Sequence, residues 1–255
     1  MIEEIGSLIT IFPHAVAGGL LIAAACAFIG FFVVVKRVVF IGIAISEIAA
    51  CGIAAGMVLG FDPLLGAVGL TLIASLFLSH PYETQNIPRD AVLGILFVLA
   101  AATSILLVSK SGFGRHEIET LLYGDLILAS PKAMATIAGA IVPAVLFLAV
   151  FFRPIFYSLY DRDTAKLIGI NVRLWEALFY VALGLIVAVA SQTAGALLVF
   201  CFLVVSPSTG LVAGRTLATV LFVSIVAALV STATGLYFSF SRDYPANQMI
   251  AVIAG

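Results

Sequence analysis

Charge is what this chain of 255 residues has least of. Only 10% of its residues are Asp, Glu, Lys or Arg, against 63% hydrophobic, and the mean hydropathy is +1.25. A soluble domain carries about 25% charged residues, so the composition excludes one and places the chain in a bilayer. No run of Lys or Arg occurs and the net charge is -1. That argues against nucleic acid as a partner and against a polybasic lipid anchor. Cysteine is sparse too. Cys26, Cys51 and Cys201 are odd in number and each lies within an apolar segment, so they read as small packing residues rather than a disulfide framework.

Histidine is no richer. His14 opens the first apolar stretch, His80 precedes Pro81, and His116 stands in the run RHEIE; none has a second ligand held at fixed spacing, so each reads as solvated or interfacial. His116 with Glu117 and Glu119 is a minor candidate for meeting a delivery protein, and Asp125 reads as a helix-end or loop carboxylate. The chain also lacks a phosphate-binding Gly-rich loop, an HExxH zinc motif and a nucleophile elbow, which leaves no catalytic set.

What is present is a series of apolar runs. A spanning helix needs about 20 apolar residues, because the hydrocarbon core is about 30 Å thick and each residue rises about 1.5 Å. Eight stretches are expected to cross: Phe12 to Val35, Val38 to Gly60, Pro63 to Leu78, Ala91 to Val108, Lys132 to Phe152, Leu174 to Ala190, Ala194 to Gly214, and Thr216 to Phe238. The first is too long for a signal-peptide core and follows Glu3 and Glu4 rather than basic residues, so it is expected to be retained. With the N-terminus outside, Lys36, Arg37, Arg89, Arg153, Arg162, Lys166, Arg173 and Arg215 face the cytoplasm, and Lys110, Arg115, Lys132 and Arg242 do not. The positive-inside rule therefore favours that orientation. After Pro245 the piece Met249 to Ala254 is too short to span. The fold class is all-α, a polytopic bundle of about eight transmembrane helices forming a single domain over residues 1–255.

Glu47 lies in the middle of the second stretch. A carboxylate there costs about 2.5 to 3.5 kcal/mol, which a neighbour or a passing cation must offset. Ser46 stands beside it and Cys51 one turn along its face, a set better suited to lining a path than to facing lipid. The other reading is a protonated Glu47 hydrogen-bonded to a neighbouring helix. On the same helix Gly52, Gly56 and Gly60 recur at four-residue spacing, with Gly42, Ser46 and Ala50 on another face. This pattern lets backbones touch in lipid and suggests contact with a second copy.

The loop Asp161 to Arg173, DRDTAKLIGINVR, predicts a short helix on the cytoplasmic side. Asp161 or Asp163 can cap its first amides and Gly169 can stop it. Leu167, Ile168 and Ile170 are then exposed, and a groove on a soluble partner would cover them; a linker lying on the membrane surface is the alternative.

In their order, the motif around Ser46 and Gly52, YGDLIL at Tyr123 to Leu128, DRDTAKLIGINV, and SQTAGALLVFCFLVVSPSTG at Ser191 to Gly210 resemble the ABC-3 permeases, the membrane subunits of zinc and manganese importers. The resemblance runs from about Leu20 to Met249. It implies a multi-pass protein of the cell inner membrane, paired as a homodimer around a central path. Cytosolic ABC ATPase subunits would dock on residues 161–173, with Asp161, Ala165, Leu167 and Gly169 in the coupling segment, and an external metal-binding protein, extracellular or periplasmic, would deliver the ion. No cofactor is implied, since the divalent metal is cargo and the nucleotide site belongs to the partner. The family places an Asp and a His four residues apart in a D-A-x-S-H-A-x-x-P-G pattern. Here the run is IAISEIAACG, with Ile43 at the Asp position, Glu47 at the His position and Cys51 at the Pro position. The expected metal-handling residues are therefore Glu47, Cys51 and Ser46, and a carboxylate in place of imidazole shifts preference toward harder cations. Two further readings stay open on the residues alone. One is an ion-coupled secondary transporter in which Glu47 carries a proton, although no internal repeat is visible; the other is a membrane scaffold without transport.

Overall fold

A computed structural model describes residues 13–79, 88–110, 131–242 and 244–255, and among them there are helices and no strands. His80, the RHEIE run with His116, and Tyr123 to Leu128 with Asp125 lie outside the described residues. The helices are α1 (Pro13–Val35), α2 (Phe40–Leu59), α3 (Pro63–Ser79), α4 (Arg89–Lys110), α5 (Pro131–Val150), α6 (Phe152–Tyr160), α7 (Arg162–Leu167), α8 (Val172–Ala213), α9 (Leu217–Arg242) and α10 (Ala246–Ala254). The all-α polytopic class expected from the sequence is the observed one. Helices α1, α2, α4, α8 and α9 are each long and apolar enough to cross a membrane, α5 and α6 make a sixth if the bent pair counts as one, and α3 is shorter at 17 residues.

Two stretches expected as separate spans form α8. Its 42 residues would reach about 60 Å if straight, twice the hydrocarbon thickness, so one crossing cannot contain it. The helix breaks at Gly195, with φ 75° and ψ 157°, a conformation open to glycine because it has no Cβ. The sequence placed the break between Ala190 and Ala194. The helical pattern continues through Ser191 and Thr193, whose hydroxyls donate to the carbonyls of Ala188 and Ala190.

The fifth stretch also differs from expectation. It ends at Val150 rather than Phe152, and the chain bends by 75° into α6. Pro154 supplies the cause. It has no amide to donate to the Val150 carbonyl, and its ring crowds that oxygen, so the hydrogen-bond ladder is interrupted at the bend. Helix α6 then lies against the end of α1 through aromatic rings: Phe152 and Phe156 stack near Phe31, and Phe32 sits between Phe152 and Phe179 of α8.

Helix α8 packs against α1, α2, α3, α5, α6, α7, α9 and α10, which makes it the hub of the bundle. The short α10 starts after Pro245 and is held within the bundle, with Ile250 against Gly235 of α9 and Cys201 of α8 donating to the Ala251 carbonyl at 3.8 Å. The glycines of α2 correct an expectation. They meet the chain's own helices rather than a second copy: a Cβ on Gly52 would strike the backbone of Gly66 and Ala67 in α3, one on Gly56 would lie 2.8 Å from Pro63 Cα, and one on Gly42 would meet Leu203 of α8. Gly60, with φ 77°, ends the helix and has open space around it.

Because a side chain at Gly52 has only backbone to displace, Gly52→Leu is expected to destabilise the bundle by about 3 kcal/mol. Gly69→Ala, at a helical site with nothing within 4 Å, should be neutral or stabilising by up to about 1 kcal/mol. Thermal unfolding of the two variants in detergent checks both; equal melting temperatures would show that α2 and α3 do not pack this closely.

Candidate functional site

The membrane locus is set by α2. Glu47 is 8% exposed and its Oε2 atom is buried without a hydrogen-bond partner. An unsatisfied carboxylate oxygen in an apolar bundle is costly, and the Ser75 and Ser206 hydroxyls are buried without a partner as well. Cys51 follows at i+4 on the same face and is also 8% exposed, clustered with Ile48 and with Ala100 of α4. Ser46 is fully buried on the neighbouring flank, and its hydroxyl donates to the Gly42 carbonyl at 2.9 Å. Its proton is committed to the helix, leaving only oxygen lone pairs for a cation. The structure thus places Glu47 and Cys51 on one face and Ser46 beside them. Among the described residues no three His, Cys, Asp or Glu side chains gather as a metal site, and His14 is exposed at the start of α1.

The second locus is α7, on the side expected to be cytoplasmic. The cap is Asp161: its Oδ1 accepts from the amides of Asp163 (3.2 Å) and Thr164 (3.1 Å), and its Oδ2 from the Thr164 hydroxyl (2.6 Å). The Thr164 hydroxyl first, then the Thr164 and Asp163 amides, hold the Asp161 carboxyl below the usual carboxylate range. The other end is a Schellman turn. Gly169, with φ 80°, donates to the Lys166 carbonyl, and Ile170 donates to that of Ala165. Six residues would not hold a helix alone; two caps and a seat do. The seat is Ala165, fully buried, which takes it out of any docking surface. Leu167 and Ile168 are the exposed pair, at 87% and 58%, whereas Ile170, expected outside, is half-buried by the turn.

A third locus was not foreseen. Glu176 of α8 is 3% exposed and binds two cations. Its Oε1 accepts from Lys36 Nζ at 2.9 Å and from Arg162 Nε at 3.0 Å, and its Oε2 from Arg162 Nη2 at 2.8 Å. Lys36 Nζ also lies 4.7 Å from the centre of the Tyr180 ring. The signal was available. An acidic residue near the start of an apolar stretch requires a cation, and the charge count had already put Lys36 and Arg162 on its side of the membrane.

Comparison with known proteins places these loci in context. The sequence model of the family described as the ABC 3 transport family matches residues 9–255. The chain is 25% identical to the manganese transport system membrane protein MntC of Halalkalibacterium halodurans, over 94% of this chain and 82% of that one. It is 23% identical to the chelated iron transport system membrane protein YfeC of Yersinia pestis, over 91% and 79%. Its fold superposes on a chain of PsaBC from Streptococcus pneumoniae, solved in complex with Fab, with a TM-score of 0.88 at 22% identity, covering all of this chain and 92% of the other.

The cap on α7 carries a signed pH dependence. Since folding lowers the Asp161 pKa, its contribution is complete above the ordinary aspartate range and is lost as pH falls through the lower folded-state value. Asp161→Ala should abolish that dependence and speed hydrogen exchange at the Asp163 and Thr164 amides. Unchanged exchange in the variant would show that the cap does not hold the helix.

Proposed function

The chain belongs to the ABC 3 transport family, and we propose that it is the permease subunit of an ATP-driven importer that moves divalent transition-metal ions, of the zinc, manganese or iron class, handed over by an external binding protein. It is a multi-pass protein of the cell inner membrane. Residues 1–255 act as one permease domain, and ATP is hydrolysed on a separate cytosolic subunit docked at residues 161–173.

The observation that carries this reading is the buried, unpartnered Oε2 of Glu47, at the helical position where the family pattern has its histidine. Among the described residues of one chain, this face of α2 offers a cation Glu47, Cys51 and the Ser46 oxygen. Glu47 and Cys51 of a second copy, related across a homodimer axis, would complete a shell of the size that such a cation takes. Weak coordination is suitable, because conduction requires that the ion leave. The manganese and chelated-iron transport named for the relatives supports cargo of this class. On the cytoplasmic side, Leu167 and Ile168 form a small apolar tip on a doubly capped helix, a shape that fits a groove in a soluble subunit. The unpartnered oxygen also favours a second reading, a secondary transporter in which Glu47 carries a proton. The driving force separates the two: the importer requires ATP on the cytoplasmic side, the secondary transporter a proton gradient.

Glu47→Gln keeps volume and removes the charge, so it should lower ATP-driven uptake of Mn²⁺ into proteoliposomes by at least about tenfold, a loss of about 1.4 kcal/mol, with unfolding unchanged. Glu47→His should shift preference toward Zn²⁺. If the Gln variant transports zinc, manganese and iron like the parent, the carboxylate is structural.

Leu167→Glu places a charge on the docking tip. It should reduce co-purification of the ATPase subunit by about tenfold or more, as loss of a central apolar contact does. Intact co-purification together with intact uptake would remove the segment from the interface.

A further inference from the structure

Building on the importer reading, we propose that Glu176 is a positioning residue: with Lys36 and Arg162 it forms an ionic link that carries displacement of α7 to the start of the Glu47 helix. Three elements meet at this carboxylate. Arg162 is the first residue of α7, Lys36 lies in the turn between α1 and α2, and Glu176 is in the second turn of α8. Arg162 grips with two nitrogens, which fixes orientation as well as distance. The side chains of Lys36 and Glu176 are 7% and 4% exposed, so that arm is little screened by water, whereas Arg162, at 37%, is partly screened but still more sheltered than the exposed Lys166–Asp163 pair on the same helix.

The backbone on either side of the link has little slack. Beyond Lys36 the turn is closed by the Arg37 amide to the Val34 carbonyl (2.9 Å) and by Val38 to Val33 (3.2 Å). Arg37 takes φ 59°, the left-handed conformation that costs any residue but glycine, so this turn is held by its surroundings. Phe40 begins α2 four residues after Lys36, and Glu47 stands seven residues further on, about 10 Å along a rigid helix. At the other end Arg162 adjoins the Asp161 cap, and the six-residue helix, tied at both ends, can move only as a unit with Leu167. The link therefore stands in series between the docking tip and the metal path.

The test uses the complete complex of permease, ATPase subunit and binding protein in proteoliposomes, measuring Mn²⁺ taken up per ATP hydrolysed. Lys36→Met and Arg162→Met should each lower this ratio by about tenfold while the ATPase subunit still co-purifies, and the double variant should be no worse than either single, because one cut already opens a series link. Lys36→Arg keeps the charge and should restore the ratio. If Lys36→Met leaves Glu176 too poorly compensated to fold, Lys36→Met with Glu176→Leu removes both buried charges and leaves Arg162 able to reach water. An unchanged ratio in the single variants, or losses that multiply in the double, overturns the link.

A second readout does not depend on transport. In the parent permease, binding of the ATPase subunit should alter hydrogen exchange of the amides of residues 36–42, and in the Lys36→Met variant it should not. A parent complex that moves no Mn²⁺ with ATP sinks the importer reading; exchange at residues 36–42 that ignores the ATPase subunit in the parent sinks the link.

Discussion

Hydrocarbon offers no hydrogen bonds, and the rest of this structure follows from that. Every backbone amide and carbonyl in the core must pair inside the protein, and apolar runs as long as these do so as helices, each pairing within its own segment. Several buried hydroxyls obey the same constraint by turning back on their own helix: Thr71, Ser224 and Thr232 each donate to the carbonyl four residues earlier. Interruptions occur where the chain has a residue that tolerates them, at Gly195 within α8 and ahead of Pro154 between α5 and α6.

Among the described residues the same constraint distinguishes two buried carboxylates by their partners. Glu176 has a bidentate Arg162 and the Lys36 ammonium, so its cost is offset by partners inside the protein. Glu47 has one oxygen with none. A bundle that supplied two cations for one carboxylate could have supplied a donor for the other. The contrast separates a group that ties α7, the α1–α2 turn and α8 together from a group that, in the proposed function, takes an ion that comes and goes.

Helix contact in lipid gains nothing from hiding apolar surface, and it turns on close backbone approach and fit. That is why α2 and α3 meet through Gly52, Gly56 and Gly66. It is also why the outward faces of α4 and α9, with Val98, Leu106 and Phe222 exposed, need no cover in a bilayer. The aromatic cluster of Phe31, Phe32, Phe152, Phe156 and Phe179 does the corresponding work where α6 turns aside, and it sets the platform from which α7 projects.

Sequence alone determined what depends on local chemistry. The apolar runs followed from the thickness of hydrocarbon, the cap at Asp161 and the stop at Gly169 from the orphan groups of a short helix, and the prominence of Glu47 from the cost of a charge in lipid. Tertiary structure decided what depends on distance through space. It showed that the α2 glycines serve the chain's own α3 and α8, that Ala165 is a seat and Ile170 half-covered, and that the apolar run ending near Phe152 turns aside before it. It alone brought Lys36 to Glu176 across 140 positions of sequence. Periodicity and composition report which groups must be buried or paired, but the choice of partner is made when helices pack, because a carboxylate's need for a cation specifies a charge and not a place in the chain.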